Sequence, residues 1–249
     1  MHPEFPSKAD IKTIRSLAQK KYRDHYGLFV VEGEKMVDEA VNRSNLEVIA
    51  VYRTSKIGED TMSRISMLSS PSPALAVIRI PDNVKKNFIE EFNGSGFSLA
   101  LDSIRDPGNM GTILRIADWF GIDTILASED CVDVFNPKTV QASMGAVLRK
   151  KVHYTDLKNS IRALVAKGVR VYATALEGGQ DIYRTELQRE GAMVVMGSEN
   201  NGISEELLEI IPERLFIPPF LPEGSGLTSE SLNVGVATSI VCYEFRRPN

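Results

Sequence analysis

The sequence predicts an α/β protein, a mainly parallel sheet with helices on both faces, preceded by a smaller α/β unit. Three observations predict it. From residue 97 onward, short apolar runs rich in β-branched residues alternate with stretches of helical periodicity, the pattern of a parallel sheet. Ahead of them lies a shorter series of strand-like runs with helices of its own. Between the two, residues 81–96 carry charges, Asn93 and two glycines, the composition of a connection. The expected division is 1–80, 81–96 and 97–249.

The first helix is signalled by Ser7, which can cap, and Asp10, which can reach back to the exposed amides. Ile11, Ile14, Leu17 and Ala18 then recur at helical spacing. At about 100° per residue, Lys8, Lys12, Arg15 and Arg23 gather on the opposite side, a candidate stripe for phosphate contacts. Leu28 to Val31, Leu46 to Tyr52 and Ala74 to Ile80 read as strands, with helices near Glu32 to Val41 and Glu59 to Ile65.

The second unit is expected to run strand Phe97 to Leu101, helix Met110 to Phe120, strand Thr124 to Ala127 and helix Pro137 to Met144. Helix Leu157 to Lys167, strand Val169 to Ala173, strand Ala192 to Met196, helix Glu205 to Ile210 and strand Leu215 to Ile217 follow, before a last helix from about Leu232 to Phe245. Trp119, Phe120 and Met144 fall in apolar helix patterns and are expected in the core.

Composition narrows the function. With 249 residues, 43% hydrophobic and 25% charged, the chain has the makeup of a folded globular protein. No stretch approaches the roughly 18 apolar residues of a membrane span, and the start lacks a secretory pattern, so the expected location is the cytoplasm. Cys131 and Cys242 lack zinc or redox spacing, and three histidines do not suggest a metal centre. The net charge is −4, but residues 1–95 hold 14 basic and 13 acidic side chains against 15 and 20 in the rest. Any nucleic-acid footprint is therefore local.

In parallel sheets ligands sit beyond the carboxyl ends of the strands, so the loops there carry most information. Asp102-Ser-Ile-Arg-Asp106-Pro-Gly-Asn109-Met-Gly111-Thr-Ile-Leu-Arg115 contains a Pro-Gly turn, a candidate cap in Asn109 and an arginine one and a half turns into a helix. Gly111 leaves room for a phosphate at the helix start. Gly197-Ser-Glu199-Asn-Asn-Gly202-Ile-Ser204 places a carboxylate directly after a buried strand and a capping serine before the next helix. Ser231-Leu232-Asn233-Val-Gly235-Val-Ala237 offers a cap in Ser231 or Asn233, then small residues that suit close packing. No G-x-G-x-x-G follows an early strand, which argues against a dinucleotide-dependent oxidoreductase.

In this order, the three segments resemble the signature motifs of the SpoU or TrmH branch of the SPOUT methyltransferases. The likeness covers residues 97 to 246. Ile14-Arg-Ser-Leu-Ala-Gln-Lys-Lys-Tyr-Arg23 and Phe29-Val-Val-Glu32-Gly33 are similar to the substrate-binding domain common in that family. The resemblance implies a SPOUT-type sheet with a carboxyl-terminal trefoil knot, a homodimer with sites near the subunit interface, and S-adenosylmethionine as methyl donor. It implies cofactor contacts at Thr174, Gly197, Ile217 and Leu232. It also implies catalytic roles for Arg115, Asn109, Glu199, Ser231 and Asn233.

The implied reaction methylates a ribose 2′-hydroxyl of rRNA or tRNA without a metal. An arginine stays protonated, so Arg115 is read as a clamp that polarises the hydroxyl and holds the adjacent phosphate. Two other readings stand beside this one: a base methyltransferase of the same superfamily, and an RNA-binding assembly factor without catalysis. The Pro218 to Ser229 stretch is longer than the resemblance leads one to expect.

Overall fold

The computed structural model describes residues 5–43, 45–81, 96–199, 201–220 and 231–248. Helix α1 (Lys8–Ser16) begins at a capping box. The Asp10 amide donates to Ser7 Oγ at 3.2 Å, and the Ser7 amide donates to Asp10 Oδ2 at 2.9 Å. The helix stops at Leu17, and a separate helix α2 (Lys20–Tyr26) ends at Gly27, whose φ of 63° closes the turn. The expected single basic stripe is corrected accordingly. Lys8, Lys12 and Arg15 are exposed on α1, whereas Arg23 belongs to α2 and is 2% exposed.

The first unit continues with β1 (Leu28–Glu32), α3 (Glu34–Asn42), β2 (Val48–Arg53), α4 (Thr54–Ile57), α5 (Glu59–Ile65) and β3 (Ala74–Arg79). The three strands form an antiparallel sheet in the order β1-β3-β2. Side chains alternate across it with the period of two that a pleated strand imposes. Leu75 and Val77 pack with Ile14, Leu17 and Met62, while Ala74, Ala76 and Ile78 join the core of the second unit.

That unit comprises β4 (Phe97–Leu101), α6 (Pro107–Trp119), β5 (Thr124–Ala127), α7 (Pro137–Ser143), β6 (Lys151–Tyr154), α8 (Leu157–Ala166), β7 (Arg170–Thr174) and β8 (Gln180–Asp181). β9 (Ala192–Met196), α9 (Glu205–Leu208), β10 (Glu213–Phe216) and α10 (Val234–Arg246) complete it. Seven strands make one sheet in the order β6-β5-β4-β9-β7-β10-β8, with every pairing parallel. β4 and β9 are buried along their whole length, as strands covered on both faces must be. This is the sheet that the alternation predicted, with β6 and β8 added at its edges.

The two units share a continuous core. The Phe29 and Phe135 rings lie 4.6 Å apart. Arg23 crosses the junction, its Nε and Nη2 donating to Asp133 Oδ2 at 2.9 and 2.7 Å while Nη1 donates to the carbonyls of Leu17 and Ala18. Its buried charge is thus paired and hydrogen-bonded, the condition for burying an arginine. Arg149 adds a second tie, to Glu39 of the first unit and Asp118 of the second.

Other expectations are corrected. Trp119 and Met144 are exposed rather than buried, and Trp119 reaches 84%; Phe120 is half-buried against the core. Gly111 is no phosphate port. A Cβ there would fall 2.5 Å from Ala142 Cβ and 2.8 Å from the Thr139 carbonyl, so the glycine seats α6 on α7. Of the expected connection 81–96, residues 82–95 lie outside the described residues, as do 221–230 before the last helix. Among the described residues no helix is long and apolar enough to cross a membrane. No group of three or more His, Cys, Asp or Glu side chains among them is placed to hold a metal ion.

Candidate active site

Helix α6 starts at Asp106, not Asn109. Asp106 Oδ1 accepts the Asn109 amide at 2.8 Å, which frees the Asn109 side chain to point outward from the first turn. At the head of α10, Asn233 is the cap. Its Oδ1 accepts the Gly235 and Val236 amides at 3.0 and 3.3 Å, leaving its Nδ2 to donate elsewhere. Gly235 brings α10 onto α6, since a Cβ there would sit 2.9 Å from Thr112 Cγ2.

Between these two helix ends stands Glu199, in the loop after β9. Asn109 Nδ2 donates to Glu199 Oε2 at 2.9 Å, Asn233 Nδ2 donates to Glu199 Oε1, and Asn233 Nδ2 also donates to Asn109 Oδ1 at 2.9 Å. The Val234 amide approaches Glu199 Oε1 at 3.4 Å. Three segments far apart in sequence are thereby joined around one carboxylate. The loop that carries it is tight. Gly197 lies so close to the Gly202 carbonyl and the Ile203 nitrogen that a Cβ would come within 2.2 to 2.4 Å of them. Ser198 and Gly202 exchange backbone hydrogen bonds at 3.0 and 2.8 Å. Ser204 occupies the cap position of α9, but its hydroxyl makes no hydrogen bond to the helix.

A cleft of about 130 Å³ opens beside this junction, lined by Ser103, Arg105, Asp106, Asn109, Glu199 and Val234 among others. Asp102, buried just after β4, accepts the Ser204 amide at 2.7 Å and so ties its loop to the one that carries Glu199. On its rim Arg105 Nη2 donates to Asp130 Oδ2 at 2.8 Å, and Ser103 Oγ and Ser128 Oγ donate to the same carboxylate at 2.8 and 2.6 Å. Burial pushes the Asp130 carboxyl up, but the hydrogen bonds from Ser128, Arg105 and Ser103 outweigh it and hold the group at about 2. Sequence reading gave Arg105, Asp102 and Asp130 no role. The signal available was their place directly after strands β4 and β5, where ligands sit in parallel sheets.

Of the other expected residues, Arg115 is exposed on α6 and makes no hydrogen bond or ion pair with a described residue. It is not part of the cleft wall. Ser231 and Leu232 are exposed at the start of the α10 segment. Thr174, Gly197 and Ile217 come together in another way. The register pairs Ala173 with Val195 and Thr174 with Leu215, so all three residues lie at or just past the carboxyl ends of the adjacent strands β9, β7 and β10. Thr174 Oγ1 donates to the Val195 carbonyl at 3.0 Å, which ties the end of β7 to β9 and leaves the hydroxyl oxygen to a ligand only as an acceptor. On α1, Arg15 donates to the Ser66 carbonyl, so one cation of the basic face also serves the fold.

This geometry can be set against known proteins. The pattern described as "SpoU rRNA Methylase family" matches residues 96–243. The chain belongs to that family. Residues 8–77 match the pattern described as "MRM3-like substrate binding domain". The chain is 30% identical to the Bacillus subtilis 23S rRNA (guanosine(2553)-2′-O)-methyltransferase RlmP, over 95% of each chain. A solved structure from Porphyromonas gingivalis, assigned to the TrmH family of RNA methyltransferases, superposes with a TM-score of 0.83 at 36% identity, covering 97% of this chain and 98% of that one. A rRNA methyltransferase from Sinorhizobium meliloti, solved with AdoMet bound, gives 0.84 at 27% identity and 98% coverage of both chains.

The strand ends fit an adenosyl group. Leu176, 60% exposed, and half-buried Ile217 stand at matching positions beyond β7 and β10, and Leu232 is a second exposed apolar side chain, before α10. An adenine needs such apolar walls with backbone hydrogen bonds at its edge.

Proposed function

We propose that this SpoU-family enzyme transfers a methyl group to a ribose 2′-hydroxyl of ribosomal RNA, with S-adenosylmethionine held at Thr174, Gly197, Ile217 and Leu232. The observation that carries this reading is the meeting of Asn109, Glu199 and Asn233 beside a cleft and next to those strand ends. The relatives named above, a 2′-O-methyltransferase of rRNA among them, support the choice of substrate.

When bound, S-adenosylmethionine supplies a methyl group activated by a sulfonium centre. The protein's own contribution is alignment. Glu199 has both oxygens engaged by the two asparagines, which fixes the carboxylate and leaves lone pairs to orient a ribose hydroxyl by hydrogen bonding. A carboxylate so held is an orienting group, and its negative charge suits a site that receives a cationic donor. Ser231, at the edge of the same junction, is assigned to substrate positioning.

The amino-terminal unit, residues 1–80, is assigned to RNA binding through Lys8, Lys12 and Arg15, with 81–96 as its connection to the catalytic unit, 97–249. Arg23 drops out of that surface because it is buried in the junction. A homodimer is part of the reading. Trp119 on α6 and Val236 and Tyr243 on the neighbouring α10 are all at least half exposed, apolar side chains left uncovered among the described residues of one chain. Arg115 precedes Trp119 by four residues and shares its side of α6, so its polarising role depends on that face being covered. The carboxyl-terminal trefoil knot belongs to the same reading, as does a cytoplasmic location.

The test is to map 2′-O-methylation across total RNA with and without the protein. One missing mark that purified enzyme and S-adenosylmethionine restore supports the proposal. A missing mark on a base would replace it with base methylation, and no missing mark with retained RNA binding would favour an assembly factor.

A further inference from the structure

The cleft beside Glu199 has an electrostatic problem. Asp106 and Glu199 both line it, and a phosphodiester brought there with a ribose would meet two carboxylates. Among the described lining residues Arg105 is the one cation. Its side chain is 71% exposed yet held by the hydrogen bond from Nη2 to Asp130. Asp130 is itself fixed by two serine hydroxyls, and Ser103 adopts a left-handed φ of 58°, a conformation that costs energy for a residue with a side chain. The rim is a built arrangement rather than a chance surface pair.

We infer that Arg105 binds the RNA phosphate next to the target ribose, and that Asp130 is a positioning residue that aims the guanidinium across the cleft mouth. A guanidinium has five donors in a planar fork, and Nη2 spends one on Asp130. The remaining edge can take two phosphate oxygens side by side. The same loop carries Asp133, the partner of buried Arg23, so the rim is also tied to the amino-terminal unit. This assignment rests on the methyltransferase reading above and adds to it the group that admits the RNA backbone.

The test uses the full chain and an unmodified 23S rRNA transcript. For Arg105→Ala, the KM for the transcript is expected to rise about tenfold, with the loss falling on KM more than on kcat. The slope of log binding constant against log salt is expected to shrink by about 1, as for loss of one phosphate contact. Arg105→Lys should recover the salt slope but only part of the KM, because a point charge cannot reproduce the fork. Asp130→Asn should raise KM about threefold in the native background and have no further effect when combined with Arg105→Ala.

An unchanged salt slope and KM in Arg105→Ala would overturn the assignment, and so would tighter RNA binding in Asp130→Asn. Calorimetric binding of S-adenosylmethionine, expected to be unaltered in every variant, checks that the proteins are folded. If the wild-type protein transferred no methyl group to RNA, the reading above would fall, while the salt slope would still report on Arg105.

Discussion

Asn233 donates from Nδ2 to Asn109 Oδ1 at 2.9 Å across 124 residues of sequence. Each asparagine stands in the first turn or at the cap of its own helix, and both point at Glu199, which therefore acts as the common acceptor. A carboxylate is the group that can satisfy two amide donors and a backbone amide at once.

Glu199→Gln tests that role. The substituted amide presents one acceptor oxygen and one donor nitrogen to groups that all donate, so at least one hydrogen bond is lost and a donor faces a donor. A lost charge-assisted hydrogen bond is worth about 1.5 to 3 kcal/mol. The expected result is a fall in kcat/KM of about 10- to 100-fold, with the thermal unfolding midpoint lower by only a few degrees because Glu199 is exposed. Single-turnover methyl transfer beside calorimetric unfolding measures both, and an unchanged rate would remove Glu199 from the site.

How much of this was legible can be read from particular residues. The Ser7 and Asp10 capping box, the helix Glu59–Ile65 and the positions along the chain of the larger unit's buried strands followed from local chemistry, because caps and periodicity are local signals. The break after Leu17 was invisible, since Ala18 and Gln19 carry no turn chemistry, and continuing the helix put Arg23 on the wrong face. β6 was missed because Lys151-Val-His-Tyr is an edge strand with little apolar alternation. The motif residues could be named from resemblance, but the choice of Asp106 rather than Asn109 as cap depends on which side chain the fold requires elsewhere. Arg105 and Asp130 come together only through the pairing of β4 with β5, a tertiary fact.

Arg23→Ala removes one half of a buried ion pair and leaves Asp133 without its partner. Breaking such a pair from one side costs about 3 to 5 kcal/mol. Urea unfolding should show a loss of that order, while Lys12→Ala, on the exposed face of α1, should leave stability within about 0.5 kcal/mol. A small loss in Arg23→Ala would mean that the junction between the units tolerates water.

The rim carboxylate predicts a pH dependence. Asp130 is held at about 2, below the value of about 3.9 for an unperturbed aspartate. A depressed folded-state value contributes stability that is present above the unfolded value and is lost as pH falls toward the folded one. Asp130→Asn should therefore be less stable than the native chain near neutral pH, with the gap narrowing as pH drops from about 5 to 3. Because the group is partly exposed the gap is small, and paired urea titrations at several pH values would measure it. A gap that widened on acidification would contradict the arrangement of hydrogen bonds at the rim.

Trp119 is the sequence's single tryptophan, so its fluorescence reports on one surface without ambiguity. In one chain it is 84% exposed, on the helix that packs against the one bearing exposed Val236 and Tyr243, and a tryptophan of this kind can bury about 150 to 250 Å² on association. If the proposed dimer covers this face, the emission should sit at the shorter wavelength of a buried indole at high protein concentration and shift to longer wavelength on dilution. Trp119→Glu places a charge in the middle of the apolar face, where burial without a partner is costly. That variant should run as a monomer by light scattering and unfold at the midpoint of the dissociated native chain, below that of the dimer, since the side chain contributes nothing to the core of its own chain. Because Arg115 shares the face, methyl transfer should fall as dimerisation is lost and not through loss of folding, and Trp119→Phe should retain both. A monomeric Trp119→Glu variant with full activity would separate Arg115 from the interface and require its role to be exercised within one chain.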